Sequence, residues 1–296
     1  MDSRLDPTGP VDGDHAVLLL HGLSSSPLEM RYLARFLQGE GFHVSVPVLG
    51  GYSAGTVEGR MEQWVDAAVR AYDELVANHA CVSVCGLSMG ATLALDMARQ
   101  RPGLQALVLL SITLAYDGWA IPWYRFLLDL AYYTPLRRRW HYCESEPYGL
   151  RNEALRNRVR RAMQQGELSE VGPPTISLAA LYEAGRLVKR VRRGLGGIGN
   201  DCLIVHSIDD ETSNPRNAQL VARGLATRFL RTVWLDDCYH MITSDNERET
   251  VARETASFLR ESEAVRRGED GMPAVVSRAL ARRLRQLSSL AGRRRD

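Results

Sequence analysis

The sequence predicts an α/β fold: a mostly parallel central sheet flanked by helices and interrupted by one helical cap insertion. Three observations lead there. Short apolar, Val- and Leu-rich runs alternate with longer amphipathic stretches from about Ala16 to Leu114 and again from about Asn200 to Arg260, the pattern of strands and covering helices. That alternation stops between about Ala115 and Gly199, where an aromatic stretch and Arg-rich runs take its place. The composition of the 296 residues, 45% hydrophobic and 24% charged with 25 Gly and 12 Pro scattered without period, is that of a globular chain. It excludes fibrous and disordered classes, and 7% aromatics excludes a stacking-rich nucleic-acid module, so no nucleic-acid partner is expected.

The elements follow in order. Residues 1–14, with Pro7, Gly9, Pro10 and Gly13, read as a polar lead-in. Strands are expected over Ala16 to Leu20, His43 to Pro47, Cys81 to Cys85, Leu104 to Leu110, Cys202 to His206 and Thr232 to Leu235. Ser26-Pro27 with Glu29 opens the first helix as a cap and first turn, and Leu28, Tyr32, Leu33, Phe36 and Leu37 give it an apolar stripe ending near Gly39 and Gly41. Further helices fit Met61 to Asn78, Met89 to Gln100 (stopped by Pro102-Gly103), Pro215 to Arg228 and about Glu247 to Arg260. The glycines at 194, 196, 197 and 199 precede a strand; a phosphate-cradling loop must follow one and open a helix, so no nucleotide site is expected there. The division is a core of residues 1–114 and 200–262, a cap of 115–199, and a basic amphipathic tail of 263–296.

Net charge is +2, yet Ala274 to Asp296 holds seven Arg against the single acid Asp296. Electrostatic partners would address that tail or a local patch. The five cysteines are odd in number and three lie in or beside strand-like runs, which reads as buried reduced thiols; neither a zinc site nor a disulfide framework is expected. The acidic start and the lack of any long apolar run suggest a soluble, cytoplasmic chain.

Chemistry concentrates at Gly86-Leu87-Ser88-Met89-Gly90, between an apolar run and a helix start. Small residues on either side let the backbone turn sharply and lift the Ser88 hydroxyl above the strand ends. The Met89 N–H, at the helix N-terminus, suits a developing oxyanion. His21-Gly22-Leu23-Ser24 ends the first strand, where the Leu23 N–H can face the same space, with His21 a structural member of the turn. A serine needs a base to take its proton and an acid to orient that base. Of seven histidines only His240 follows both the serine and a plausible acid turn, in a polar loop after the strand Thr232 to Leu235. The acid lies among Asp209, Asp210 and Glu211; Asp210 is the choice, and Asp209 remains open.

These residues resemble the bacterial carboxylesterase and monoacylglycerol lipase group of the α/β-hydrolase fold. The resemblance rests on His21 to Met30, Gly86 to Gly90, Asp210-Glu211 with Asn214-Pro215, and His240 to Thr243. It implies nucleophile Ser88, acid Asp210, base His240, oxyanion donors Leu23 and Met89, no metal or organic cofactor, and a helical cap shaping an acyl pocket. Ala91 stands where some relatives carry another Gly. The reading is a serine hydrolase of carboxylic esters, with a small ester or monoacylglycerol as substrate. Thioester, amide or acyl-transfer chemistry on the same residues is the alternative, and a non-catalytic binding protein of this fold the alternative of another class. Cap residues 137–193 hold thirteen basic against six acidic side chains, which raises anionic esters as a hypothesis beside simple solvated faces. In the tail, Val276, Leu280, Leu284, Leu287 and Leu290 recur at helical spacing among arginines. That pattern suits self-packing or disorder first and an anionic membrane surface second.

Overall fold

The computed structural model describes residues 15–121, 132, 134, 140–165, 169 and 171–266. The lead-in, most of the aromatic stretch after Ile121, Arg137 to Arg139 and the amphipathic tail lie outside the described residues. The chain divides into a unit ending at Leu259 and a second unit from Arg260.

Six strands, β1 (His15–Leu20), β2 (His43–Ser45), β3 (Cys81–Leu87), β4 (Ala106–Leu110), β7 (Asp201–Ser207) and β8 (Leu230–Leu235), form one sheet in the order β2-β1-β3-β4-β7-β8. Every neighbouring pair is parallel. Both faces are covered, as a parallel sheet requires, and the two-residue period of a strand sorts its side chains between two cores. Ala16, Leu18 and Leu20 of β1 enter one cluster and Val17 and Leu19 the other. The same sorting sends Leu107 and Leu109 of β4 one way and Ala106, Val108 and Leu110 the other.

The first cluster packs under α2 (Met61–Val76), α3 (Met89–Gln100) and α5 (Leu178–Gly194). The second packs under α1 (Arg31–Gly39) and the Val251 to Leu259 part of α7 (Arg248–Arg266). A short helix, α6 (Arg216–Gly224), precedes β8. The expected first helix is divided: Pro27–Met30 forms a 3-10 turn and the α-helix begins at Arg31.

The described part of the inserted segment adds a short sheet to the helices expected. It holds an antiparallel pair, β5 (His141–Cys143) and β6 (Thr175–Ser177), around α4 (Glu153–Gln164). The strands are three residues each, too short for a period to register in the sequence. The helix α5, which the sequence assigns to the cap, belongs by packing to the core: Leu178, Leu181, Ala184, Leu187 and Val191 are buried with Leu93 and Met97 of α3. All five cysteines are free thiols, and only Cys143 is exposed.

Candidate active site

Parallel strands bring the loops that follow β1, β3, β4, β7 and β8 to one edge of the sheet, the usual place for a site in such folds. The pairing of Leu20 with Gly86 sets the ends of β1 and β3 side by side. Between β3 and α3 the chain reverses at Ser88, whose φ of 56° and ψ of −117° lie outside the ordinary regions. The flanking glycines make this possible. A Cβ on Gly86 would overlap the Gly90 carbonyl, and one on Gly90 would overlap the carbonyls of Leu20 and His21. The Ser88 N–H donates to the Leu110 carbonyl at 2.8 Å, and its side chain stays partly open to solvent.

Ser88 Oγ lies 2.8 Å from His240 Nε2, and His240 Nδ1 lies 2.8 Å from Asp210 Oδ2. The loops after β3, β8 and β7 thus bring Ser88, His240 and Asp210 into one hydrogen-bonded line. Of the three acids in the β7 loop, only Asp210 meets the ring. Asp209 pairs with Arg151 at 2.8 Å, and Glu211 accepts the His240 backbone N–H at 3.0 Å. Asp210 Oδ1 also accepts the Thr212 and Ser213 N–H groups at 2.9 and 2.7 Å. Burial works against its charge, but His240 above all, with His206 and the Ser213 N–H, outweighs burial and holds its pKa below the usual carboxylate range. Burial likewise works against the His240 imidazolium, yet the charge and hydrogen bond of Asp210, with Glu211 and Glu29 beyond, lift its pKa to about 9.

At the other side of Ser88, the Gly22 N–H donates to Glu29 Oε2 at 2.8 Å, and Ser24 turns through a φ of 52°. His21 is fully buried, and burial lowers its pKa to about 4. It is neutral, its Nδ1–H donates to the Gly22 carbonyl at 2.8 Å and its Nε2 accepts from Ser53 Oγ at 2.7 Å. His21 is therefore a fixture of the turn, as the sequence suggests. Leu23 follows Gly22 in that turn. Met89 is the first residue of α3, where an N–H has no acceptor within its own helix. Burial raises the carboxyl of Glu29 to about 7; Glu144, where β5 enters this region, is raised to about 7 by desolvation and by repulsion from Glu211.

Several supporting residues escape sequence reasoning. Ser111, with φ 44°, donates through Oγ to the His240 carbonyl at 2.7 Å, and Ser207 Oγ donates to the Cys238 carbonyl at 2.6 Å. The buried Asp245 carboxylate accepts from the backbone N–H groups of Arg151, Asn152 and Tyr239 at 2.7, 2.8 and 2.9 Å. It thereby joins the inserted segment to the histidine loop. Gly118 lies so close to the Glu211 backbone that a side chain would not fit, and Ala120 N–H donates to the Glu211 carbonyl at 3.0 Å. Apart from Tyr239 and Asp245, six residues apart, these hydrogen-bonded side chains have partners 31 to 129 residues away and leave no local pattern; only the acid-rich run from Asp236 to Glu249 hints that this loop is tied down.

Several arginines of the insertion pair with acids. Arg160 pairs with Glu146, Arg186 with Glu62 and Glu183, and Arg190 with Asp96. Among the described residues there is no cluster able to hold a metal ion and no helix long and apolar enough to cross a membrane.

A parallel sheet of this order with a strained serine at a strand–helix elbow, linked through an imidazole to a carboxylate, defines a serine hydrolase of the α/β-hydrolase fold. The chain belongs to the serine aminopeptidase S33 family, which it matches over residues 12–248. Among its relatives are a thermostable monoacylglycerol lipase of Bacillus sp. (strain H-257) and a carboxylesterase of Bacillus subtilis (strain 168). The first is 29% identical over 262 residues, covering 87% of this chain and 95% of the relative. The second is 24% identical over 251 residues, covering 83% and 93%. A solved structure of metagenome-derived lipolytic enzymes, LipS and LipT, is 22% identical with a TM-score of 0.70 over 84% of this chain and 94% of that one. The resemblance to bacterial carboxylesterases and monoacylglycerol lipases is thereby borne out.

Proposed function

We propose that the chain hydrolyses carboxylic esters of small alcohols or of glycerol, with short to medium acyl chains, through an acyl-enzyme on Ser88. The observation that carries this is the continuous Asp210–His240–Ser88 chain, with contacts of 2.8 Å on both sides of the imidazole. In this reading His240 Nε2 takes the Ser88 proton as Oγ attacks the ester carbonyl, and Asp210 stabilises the imidazolium without taking the proton. The N–H groups of Leu23 and Met89 receive the oxyanion. The imidazolium then protonates the leaving alcohol, and water, activated by the same imidazole, releases the acid. Thioester, amide and acyl-transfer chemistry would use the same attack on a carbonyl; the ester chemistry in the names of both Bacillus relatives supports the ester.

The test is a panel of p-nitrophenyl esters from acetyl to palmitoyl, assayed with the wild type and Ser88→Ala. Turnover of the shorter esters is expected to fall by about 10⁴-fold or more in the variant. Retained turnover would remove Ser88 as nucleophile.

A further inference from the structure

Ser88 has a second polar neighbour that the triad does not explain. The segment leaving β4 passes under the elbow, and its backbone is fixed at every residue. Ser111 N–H donates to the Val205 carbonyl at 2.9 Å, Ser213 Oγ to the Ile112 carbonyl at 2.8 Å, and Thr92 Oγ1 to the Thr113 carbonyl at 2.6 Å. The Leu114 N–H donates to Asn217 Oδ1 at 3.0 Å. None of these bonds uses the Thr113 side chain. Thr113 is nonetheless fully buried with its hydroxyl 3.2 Å from Ser88 Oγ and 3.2 Å from the Ser111 carbonyl.

Counting hydrogens gives the direction of the Ser88–Thr113 contact in the neutral form of His240, the form that can take the Ser88 proton. With Asp210 accepting from His240 Nδ1–H, His240 Nε2 is an acceptor in the neutral ring. The one hydroxyl hydrogen of Ser88 goes to that nitrogen, at 2.8 Å. In the contact with Thr113, Ser88 Oγ can therefore only accept, and Thr113 donates. The Thr113 hydrogen has two acceptors at equal distance, Ser88 Oγ and the Ser111 carbonyl, so it can turn toward either as the charge on Ser88 Oγ changes.

We infer that Thr113 is a further catalytic residue, donating a hydrogen bond to Ser88 Oγ when that oxygen leaves the acyl carbon. The inference rests on the proposed role of Ser88. In acylation the free Ser88 hydroxyl already accepts this bond, so the starting state and the transition state gain alike and the net effect is small; in the acyl-enzyme Oγ is an ester oxygen, a weaker acceptor, and the bond strengthens only as Oγ departs. In deacylation water adds its oxygen to the acyl carbon and one proton to His240 Nε2. The bond from the acyl carbon to Ser88 Oγ then breaks with its electron pair on Oγ, and His240 returns the proton to it. Charge gathers on Oγ before that proton arrives, which is when a donor already in place is most effective. Thr113 itself gives up no proton.

The experiment compares Thr113→Val, of the same shape without the hydroxyl, and Thr113→Ser with the wild type and Ser88→Ala. With p-nitrophenyl butyrate, stopped-flow release of nitrophenol reads acylation, and intact mass of the protein during turnover reads the acylated fraction and its decay. Thr113→Val is expected to slow deacylation about tenfold, the equivalent of one hydrogen bond to a charged oxygen, while acylation changes less than twofold. The acylated fraction should rise, and Thr113→Ser should restore the wild-type ratio. Unchanged deacylation, or an equal loss in both steps, would overturn the inference. If the valine variant loses its wild-type melting temperature, Thr113→Ala is read by the same ratio. Turnover retained in Ser88→Ala defeats the role of Ser88 itself, whereas an inactive Ser88→Ala beside an unaltered Thr113→Val defeats only the role of Thr113.

Discussion

A histidine that is to take a proton from serine must first be without one. His240 is surrounded by negative charge, Asp210 on the ring and Glu211 and Glu29 beyond it, and these lift its pKa to about 9 against the pull of burial. Its neutral fraction grows as pH rises toward that value, so kcat/KM for a neutral ester is expected to climb from pH 7 to about 9 and then level. Stability should move the other way. A pKa raised from 6.5 to about 9 contributes stability that is complete below the unfolded value and lost as pH passes through the folded one. Denaturant midpoints should accordingly fall between about pH 6.5 and 9 over the range in which activity grows. A pH–rate profile whose acid limb lies near pH 6 to 7 would contradict this account of the charges.

At the scale of elements, the site depends on loops that secondary structure alone does not hold. The histidine loop after β8 runs from Asp236 to Glu247 and is tied by carboxylates. Glu247 accepts from the N–H groups of Asp236 and Asp237 at 3.0 and 2.8 Å, and Asp245 accepts from three more. Removing a buried acceptor leaves its donors without hydration or partner, which is worth more than the net value of the bonds. Asp245→Ala is expected to destabilise the fold by about 3 kcal/mol, seen as a lower urea midpoint, and to lower kcat because His240 is no longer fixed. Asp245→Asn should be milder, since its remaining carbonyl oxygen can still accept. The central strands and the elbow were legible in the sequence because β-branched runs, Gly86 and Gly90 act locally. The β5–β6 pair was not, because each strand is short and its partner lies about 35 residues away.

At the scale of the molecule, the chain separates after Leu259, and Ser88, Asp210 and His240 all belong to the first unit. Deleting residues 267–296 is therefore expected to leave ester turnover and the melting temperature of the first unit within error of the full chain. If the arginines of the tail address an anionic surface, the full chain should sediment with vesicles of anionic phospholipid at low salt and the truncated chain should not. A loss of turnover on truncation would tie the tail to the site.

Residue type and order along the chain determined the parallel sheet, the serine at the elbow and the place of His240 in the loop after the last strand, because each depends on local backbone demands or on which residues come after which. The choice of Asp210 over Asp209 and Glu211 rested on loop length, and the orientation of the β7 loop is what turns Asp210 to the ring, Glu211 to the His240 amide and Asp209 to Arg151. Thr113 beside Ser88, Ser111 and Asp245 bonded to the histidine loop, and α5 in the core were decided only by tertiary structure. Their partners are remote in sequence, and a hydrogen bond across 25 or 129 residues leaves no periodicity, cap or turn signal in the chain that forms it.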